Sequence, residues 1–485
     1  MLLKIEKLIY GGDGLARLPA DDKGRGKAVF VPFVLEGEKV EASLTEQKAG
    51  FARAQVQSVV ESSSRRVAPA CRYFGQCGGC HYQHTTYEHQ LAIKVEILRE
   101  SLRRTAKLDL ACEIQVHPSP PWNYRNRSRL QVQAGKDFAA GYFKLGSHEL
   151  LAVEECPISS PLINRGIATL WSSGRAGKVP AGVREVEFFA NADDTQLLLE
   201  VGSDAEVRRA GVRAWLEELQ AEMPEIAGIV AFREGSSGSP SSSKIAKIPT
   251  LAAKNSARMG HPAREMGRPG PKVPIPDSRE KLVSLGRGFL TYQTKRAAYR
   301  VCAGAFFQTN RFLTDELVKV VTEGQSGERA LDLYAGVGLF STALAGDFRH
   351  IVSVESSQTS SGDLAYNQPS NGESVRATTE QYLVRADLAR GENSGRAGKG
   401  DAVANAAHTP DLVVVDPPRS GLGERVAQLL ARLQAPRVIY VSCDPATLAR
   451  DLVDLLAAGY RVEQVHLVDL FPQTFHLETV VHLVR

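Results

Sequence analysis

Long hydrophobic runs are missing: none of the 485 residues belongs to an apolar stretch of membrane-spanning length. The opening Met-Leu-Leu-Lys-Ile-Glu-Lys carries charge too early for a secretory leader, so a soluble cytoplasmic protein is expected. Cysteine is sparse, with seven residues, and three of them crowd into ten positions. That distribution argues against a disulfide framework and for a bound metal or cluster. A global excess of basic charge is also lacking. The net charge is +4, yet between Gly235 and Lys281 nine Lys and Arg face three Asp and Glu, which leaves the remainder formally about −2. A nucleic-acid partner would have to be held by local patches. What is present is an ordinary globular composition, 43 % hydrophobic and 24 % charged, long enough for about three domains.

Residues 1–60 alternate apolar and polar positions between glycine-rich turns such as Gly11-Gly12-Asp13-Gly14, the pattern of a small β-barrel. Such barrels commonly grip nucleic acid, although pattern alone suits a packing module equally well. A central, mainly β segment is expected over 61–234, with one amphipathic helix near Ala205–Met223. It opens with Cys71, Cys77 and Cys80, spaced by five and two intervening residues, with glycines that let the backbone wrap a bound centre. Cys156 is the candidate fourth ligand, and spacing leaves structural zinc and an iron–sulfur cluster both open. Further on, Arg125, Arg127 and Arg129 alternate beside Trp122 and Tyr124, so one strand face would offer three guanidiniums to RNA phosphates. A solvated charged face is the alternative. Residues 235–281, rich in Ser, Pro and Gly, read as a disordered basic linker, and 386–409 as a second low-complexity loop.

From 282 to 485 strands and helices alternate, which predicts a doubly wound α/β domain. Ala330 to Phe340 runs from a strand into a turn carrying Gly336 and Gly338, without the dinucleotide spacing. The next strand ends in Glu355, placed to accept both hydroxyls of a ribose. Glycine turn plus acid suits a nucleoside without a phosphate to cradle, such as S-adenosylmethionine. A third strand exits through Asp416-Pro-Pro-Arg419, where amino-methyltransferases carry an aromatic after the prolines. A fourth, Val438 to Val441, leads to Ser442, Cys443, Asp444 and Pro445. A thiol at a strand's carboxyl end and a helix N-terminus stands where chemistry is done, and the helix dipole would favour its thiolate.

Two resemblances follow from these residues. Lys7 to Arg17, with Phe30-Val-Pro-Phe33 and Gly37-Glu-Lys-Val40, resembles the opening of a TRAM domain, an OB-like RNA-binding barrel. Phe306-Phe-Gln308-Thr-Asn310, Asp332 to Gly338, Asp416 to Arg419, Ser442 to Pro445 and Phe471 to Glu478 together resemble the RNA 5-methyluridine (uracil-C5) methyltransferases. The likeness is closest to their RlmD-like 23S ribosomal RNA branch. It implies a [4Fe-4S] cluster on Cys71, Cys77, Cys80 and Cys156, and an S-adenosylmethionine site lined by Gln308, Tyr334, Glu355 and Asp416. Asp444 stands where many relatives carry Asn, and Leu339 where some do.

The chemistry agrees. Uracil C5 is too weak a nucleophile to take a methyl group unaided, so a thiolate, Cys443, first adds to C6. A base, Glu478, then removes the C5 proton. The target uridine must be splayed from folded RNA, which calls for accessory RNA-gripping surfaces, with Arg419 a further candidate contact. The expected substrate is 23S ribosomal RNA, with transfer RNA second and no membrane or obligate protein partner. Two rivals are weaker. Radical S-adenosylmethionine chemistry predicts three residues in the first cysteine gap, not five. A non-catalytic RNA-binding or assembly factor makes no demand on Cys443.

Overall fold

The computed structural model describes residues 1–19, 26–233, 279–392 and 408–485. Their contacts divide into two compact units, 1–66 and a second formed by 67–233 with 279–485.

In the first unit six strands form one sheet, in the order Leu2–Lys4, Lys39–Gln47, Phe51–Glu61, Ala28–Pro32, Asp13–Arg17, Lys7–Leu8. All neighbours are antiparallel except Ala28–Pro32 with Phe51–Glu61. Alternate residues such as Val29, Val31, Val40 and Ala42 are buried, as a one-sided sheet requires. A Cβ on Gly14 would stand 2.3 Å from Val34 Cγ2, so only glycine fits that strand crossing.

The second unit contains two large sheets. One has seven strands, in the order Leu150–Ala152, Ala139–Phe143, Arg127–Gln133, Val183–Ala190, Leu197–Ser203, Ile226–Arg233, Glu280–Gly286. Helices Pro161–Arg175 and Arg209–Glu222 bury Trp171 and Trp215 into a core with Phe188 and Leu199. The first of these helices is missing from the sequence reading, although Ser160 and Pro161 are an N-cap and first-turn signal, with Ser160 Oγ accepting from Ile163 N at 3.3 Å.

The other sheet has eight strands: Gly372–Arg376, Phe348–Glu355, Gly327–Leu333, Leu412–Val415, Arg437–Ser442, Thr479–Val484, Arg461–Val468, Ile114–His117. Only Thr479–Val484 runs antiparallel to its neighbours. The inner strands are near-continuous apolar runs, Leu412–Val415 being buried throughout, because helices cover both faces.

Two strands move the expected boundaries. Ile114–His117, expected inside the central segment, pairs parallel with Arg461–Val468 and completes the α/β sheet. Glu280–Gly286, straddling the expected 281/282 border, pairs with Ile226–Arg233 and completes the central sheet. The expected blocks 61–234 and 282–485 are therefore interleaved in one compact unit rather than folding separately, except that 61–66 belong to the first unit. The expected linker lies outside the described residues up to 278, and its last residues, Glu280 and Lys281, already belong to a strand. The second low-complexity loop starts later than expected, because helix Thr379–Glu392 extends through Ala386, and 393–407 lie outside the described residues. No helix among the described residues is long and apolar enough to cross a membrane.

Candidate active site

Four parallel strands deliver their carboxyl ends to one edge of the eight-stranded sheet, and each exits into a motif residue. Gly327–Leu333 leads into Tyr334, Phe348–Glu355 ends in its own carboxylate, Leu412–Val415 leads to Asp416, and Arg437–Ser442 to Cys443. The chain direction of connections reverses about Gly327–Leu333 and Leu412–Val415, the switch point at which open α/β sheets bind ligands.

The antiparallel strand supplies the remaining group. Ser442 pairs with Thr479, so Cys443, one residue beyond the first, faces Glu478, one residue before the second. Two residues from separate motifs thus meet by register alone. Their charges act on each other: burial raises the Cys443 thiol first, then Glu478 and Asp416 raise it further, against a downward pull from Arg419. Glu478, only 5 % exposed, is pushed well above the usual carboxylate range by burial and by Asp416. Asp416 is itself raised to about 7 by burial and by Asp332.

The helix N-terminus expected to favour the thiolate has another partner. The first N–H groups of helix Pro445–Ala457 are taken by the Asp444 carboxylate, whose Oδ1 accepts from Ala446 N at 2.9 Å and Thr447 N at 3.0 Å. The helix end is capped before the thiol can use it, and burial, then Glu478 and Asp416, raise the thiol above its ordinary value.

The glycine turn is built as expected. Gly336 and Gly338 have φ of +58° and +95°, and Tyr334, at +61°, is held in the same left-handed region. A Cβ on Gly336 would meet nothing within 4 Å, leaving open space beside the turn. Glu355 braces it, Oε2 accepting from Gly336 N at 3.0 Å and Oε1 from Ser357 N at 2.6 Å. Each oxygen keeps lone-pair capacity for a diol. Gln308 is buried on the loop before helix Thr314–Thr322, its carbonyl accepting from Asn126 Nδ2 at 3.0 Å.

Two residues of the edge lie within the quoted motifs but take no role of their own from the sequence. Asp332 is fully buried and raised to about 7, with Oδ2 accepting from Ser341 N at 3.0 Å and Oδ1 unpartnered. An acid inside the apolar run Ala330-Leu-Asp-Leu was the available signal. His476 is pushed well below the ordinary imidazole range by burial and then by Arg419. Its Nδ1 is buried without a partner, and its Nε2 lies 3.4 Å from Arg419 Nη2. Orphaned acceptors and open space at a glycine turn fit a cationic nucleoside such as S-adenosylmethionine.

The cysteine loops form a second neighbourhood. Burial raises Cys71, Cys77 and Cys80, the last two to about 11 and about 12, and Cys156 adds to the rise in all three. Gln83 Oε1 accepts from Cys71 N at 3.0 Å, and Asn164 Oδ1 from Cys156 N at 2.9 Å, fixing both loops. All four thiols are free, and a charge on Cys156 acts against charge on each of the other three, repulsion that a cationic centre would relieve. Among the described residues no group of His, Cys, Asp or Glu is nevertheless arranged to hold a metal ion.

The arginine stripe takes a different part from the one expected. Arg127 Nη1 donates to Ala305 O at 2.6 Å, and its guanidinium lies 4.2 Å from the Phe189 ring centre. Arg129 pairs with Glu187 at 2.8 Å, and the charge of Arg125 acts on Cys77, Cys80 and His476. Carboxylates on the neighbouring strand already occupy the face, so phosphates would have to compete for it. Arg419 is exposed beside Cys443.

Comparison with known proteins agrees with this geometry. A family model for tRNA (Uracil-5-)-methyltransferase matches residues 277–485, and one for the TRAM domain matches 1–57. An RNA methyltransferase of Aquifex aeolicus is 30% identical over 485 residues, 99% of this chain and 97% of that protein. The 23S rRNA (uracil(1939)-C(5))-methyltransferase RlmD of Pseudomonas putida is 28% identical over 484 residues, 99% of this chain and 92% of its own. The crystal structure of Pyrococcus abyssi tRNA (uracil-54, C5)-methyltransferase with S-adenosyl-L-homocysteine shares the fold, with a TM-score of 0.67 over 100% of both chains at 22% identity.

Proposed function

Because this chain belongs to the RNA uracil-C5 methyltransferases, enzymes that use S-adenosylmethionine, we propose that it methylates a uridine of 23S ribosomal RNA through a covalent Cys443 adduct. The observation that carries the reading is the register of Ser442 on Thr479, which sets a thiol beside a buried acid at the ligand edge of the sheet.

In this reading the Cys443 thiol gives up its proton to solvent, its sulfur bonds to C6 of the uracil, and the C5–C6 electron pair moves onto O4 as an enolate. C5 then attacks the methyl carbon, and S-adenosylhomocysteine leaves. S-adenosylmethionine, when bound, supplies that electrophilic methyl group and a positive charge that counters Asp332 and Asp416. Glu478 takes the C5 proton, the electron pair re-forms the C5–C6 double bond, and the thiolate departs. Glu355 and the turn at Gly336 and Gly338 would hold the nucleoside, with Tyr334, Gln308 and Asp416 lining the site. Arg419, exposed beside the thiol, would contact RNA. Cys71, Cys77, Cys80 and Cys156 would hold a [4Fe-4S] cluster with a folding role, and iron and sulfide analysis of anaerobically purified protein separates it from zinc.

The test of the reaction is mass spectrometry after incubation with S-adenosylmethionine and 5-fluorouridine-substituted ribosomal or transfer RNA. Fluorine at C5 cannot leave as a proton, so a methylated adduct on Cys443 is expected, and its RNA fragment identifies the uridine. An adduct on transfer RNA alone would overturn the 23S assignment. No adduct from protein that binds S-adenosylmethionine would overturn the nucleophile.

A further inference from the structure

The loop that carries Glu478 is not held by its own strands alone. Between strand Arg461–Val468 and strand Thr479–Val484 it passes through Gln473, which is 3 % exposed and has a φ of +67°. A glutamine in the left-handed region is strained and persists only where its surroundings over-determine it. Here they do. The Gln473 carbonyl accepts from His81 N at 2.8 Å and Tyr82 N at 3.0 Å, the two residues directly after Cys80. Its own N–H donates to Gln90 Oε1 at 2.9 Å, while Gln90 Nε2 donates back to Gln473 Oε1 at 3.0 Å. The same Gln90 amide also reaches Tyr82 O at 3.1 Å and Thr85 O at 3.2 Å, so it ties the loop and the cysteine segment together. One helical turn on, Lys94 Nζ bonds Asp469 Oδ1 at 2.6 Å and Phe471 O at 2.9 Å, with both side chains buried.

We infer that Gln473 and Gln90 are positioning residues for the base: the cysteine segment and helix Tyr87–Ser101 grip the loop in a strained form that sets Glu478 against C5. This rests on the reaction proposed above. The grip concerns one step only. Adduct formation needs Cys443, which sits on a different strand, whereas proton removal needs Glu478 in place. A displacement of about 1 Å can slow such a step about a hundredfold. Loosening the grip should therefore slow the release of Cys443 more than its addition.

The experiment compares wild type with Gln90→Ala and with Gln473→Asn, the latter a residue that tolerates positive φ and keeps the backbone bonds while its shorter amide falls short of Gln90. Ordinary uridine RNA is used, and both turnover and the steady-state Cys443 adduct are measured. Expected is a fall in kcat of about tenfold to a hundredfold, little change in KM for RNA, and an adduct that accumulates in the variants but not in wild type. Loss of turnover without accumulation would overturn the inference, because a merely structural defect reduces every step together. So would unchanged turnover in both variants. Should Gln90→Ala fail to fold, Gln473→Asn carries the comparison alone. Wild type on 5-fluorouridine RNA is the control: no adduct there ends the nucleophile reading, whereas an adduct there without accumulation in the variants ends only the grip.

Discussion

Glu38 in the first unit and Asp332 and Glu478 in the second are all buried and behave in opposite ways. Glu38 is 0 % exposed, and burial alone would raise it, yet it is held below the usual range. Arg66 reaches it at 2.6 Å and 2.7 Å, and the N–H groups of Leu35 and Ser63 at 2.8 Å and 3.1 Å. Asp332, Asp416 and Glu478 are all raised, burial being the largest cause, with Asp332 acting on Asp416 and Asp416 on Glu478. A buried acid with four donors is a structural joint, and several buried acids with few donors await a cation or a proton. The difference sets the candidate site apart from Glu38 without reference to any motif.

The comparison can be broken most sharply at the acids and the thiol themselves. Cys443→Ala should abolish methyl transfer while leaving S-adenosylmethionine binding intact by calorimetry. Glu478→Gln should cost about 10²–10⁴-fold in turnover and leave the Cys443 adduct standing on ordinary uridine RNA. Glu38→Ala should leave the chemistry alone and destabilise the first unit on the order of 3 kcal/mol in urea, since a buried partner of Arg66 is lost.

The pH dependence should run in opposite directions in the two units. Glu38 is lowered, so its stabilisation is present above the ordinary carboxylate value and is lost as pH falls through its folded value. Asp332 and Asp416 are raised to about 7, so their contribution is present below the ordinary value and is lost as pH rises from about 4 to about 7. Urea titrations read by peptide-resolved proteolysis should show the first unit weakening in acid and the second, free of cofactor, weakening towards neutrality. Asp416→Asn should flatten only the second slope. The smallest effect is expected at the helix cap. Asp444→Asn should change stability by no more than about 0.5 kcal/mol in the same titration, because Asn and Asp cap equally well, and Asp444→Ala should cost about 1 kcal/mol.

Much of the ligand edge was legible in the sequence, because strand, turn and helix follow one another locally around Gly336, Glu355, Asp416 and Cys443. What was not legible depends on distant pairing. The alternation in Ile114–His117 and Glu280–Gly286 marks each as a strand, but nothing within either segment says which sheet it joins. The surroundings of Cys443 were hidden for the same reason. Its local signal is a helix N-terminus, while the thiol is raised first by burial and then by Glu478 and Asp416, which arrive from other strands. The arginines at 125, 127 and 129 do alternate, but Glu187 on the paired strand claims Arg127 and Arg129.

The place of Thr479–Val484 between Arg437–Ser442 and Arg461–Val468 also governs the order of assembly. An interior position of the sheet is filled by Thr479–Val484, and one of its two edges by Ile114–His117, whose partner is synthesised some 350 residues later. Such non-local pairings form slowly and leave apolar strand edges uncovered while they wait. A chain interrupted before Thr479 would carry a gap in mid-sheet, so removal of this one short strand should yield an aggregating product rather than a smaller folded protein.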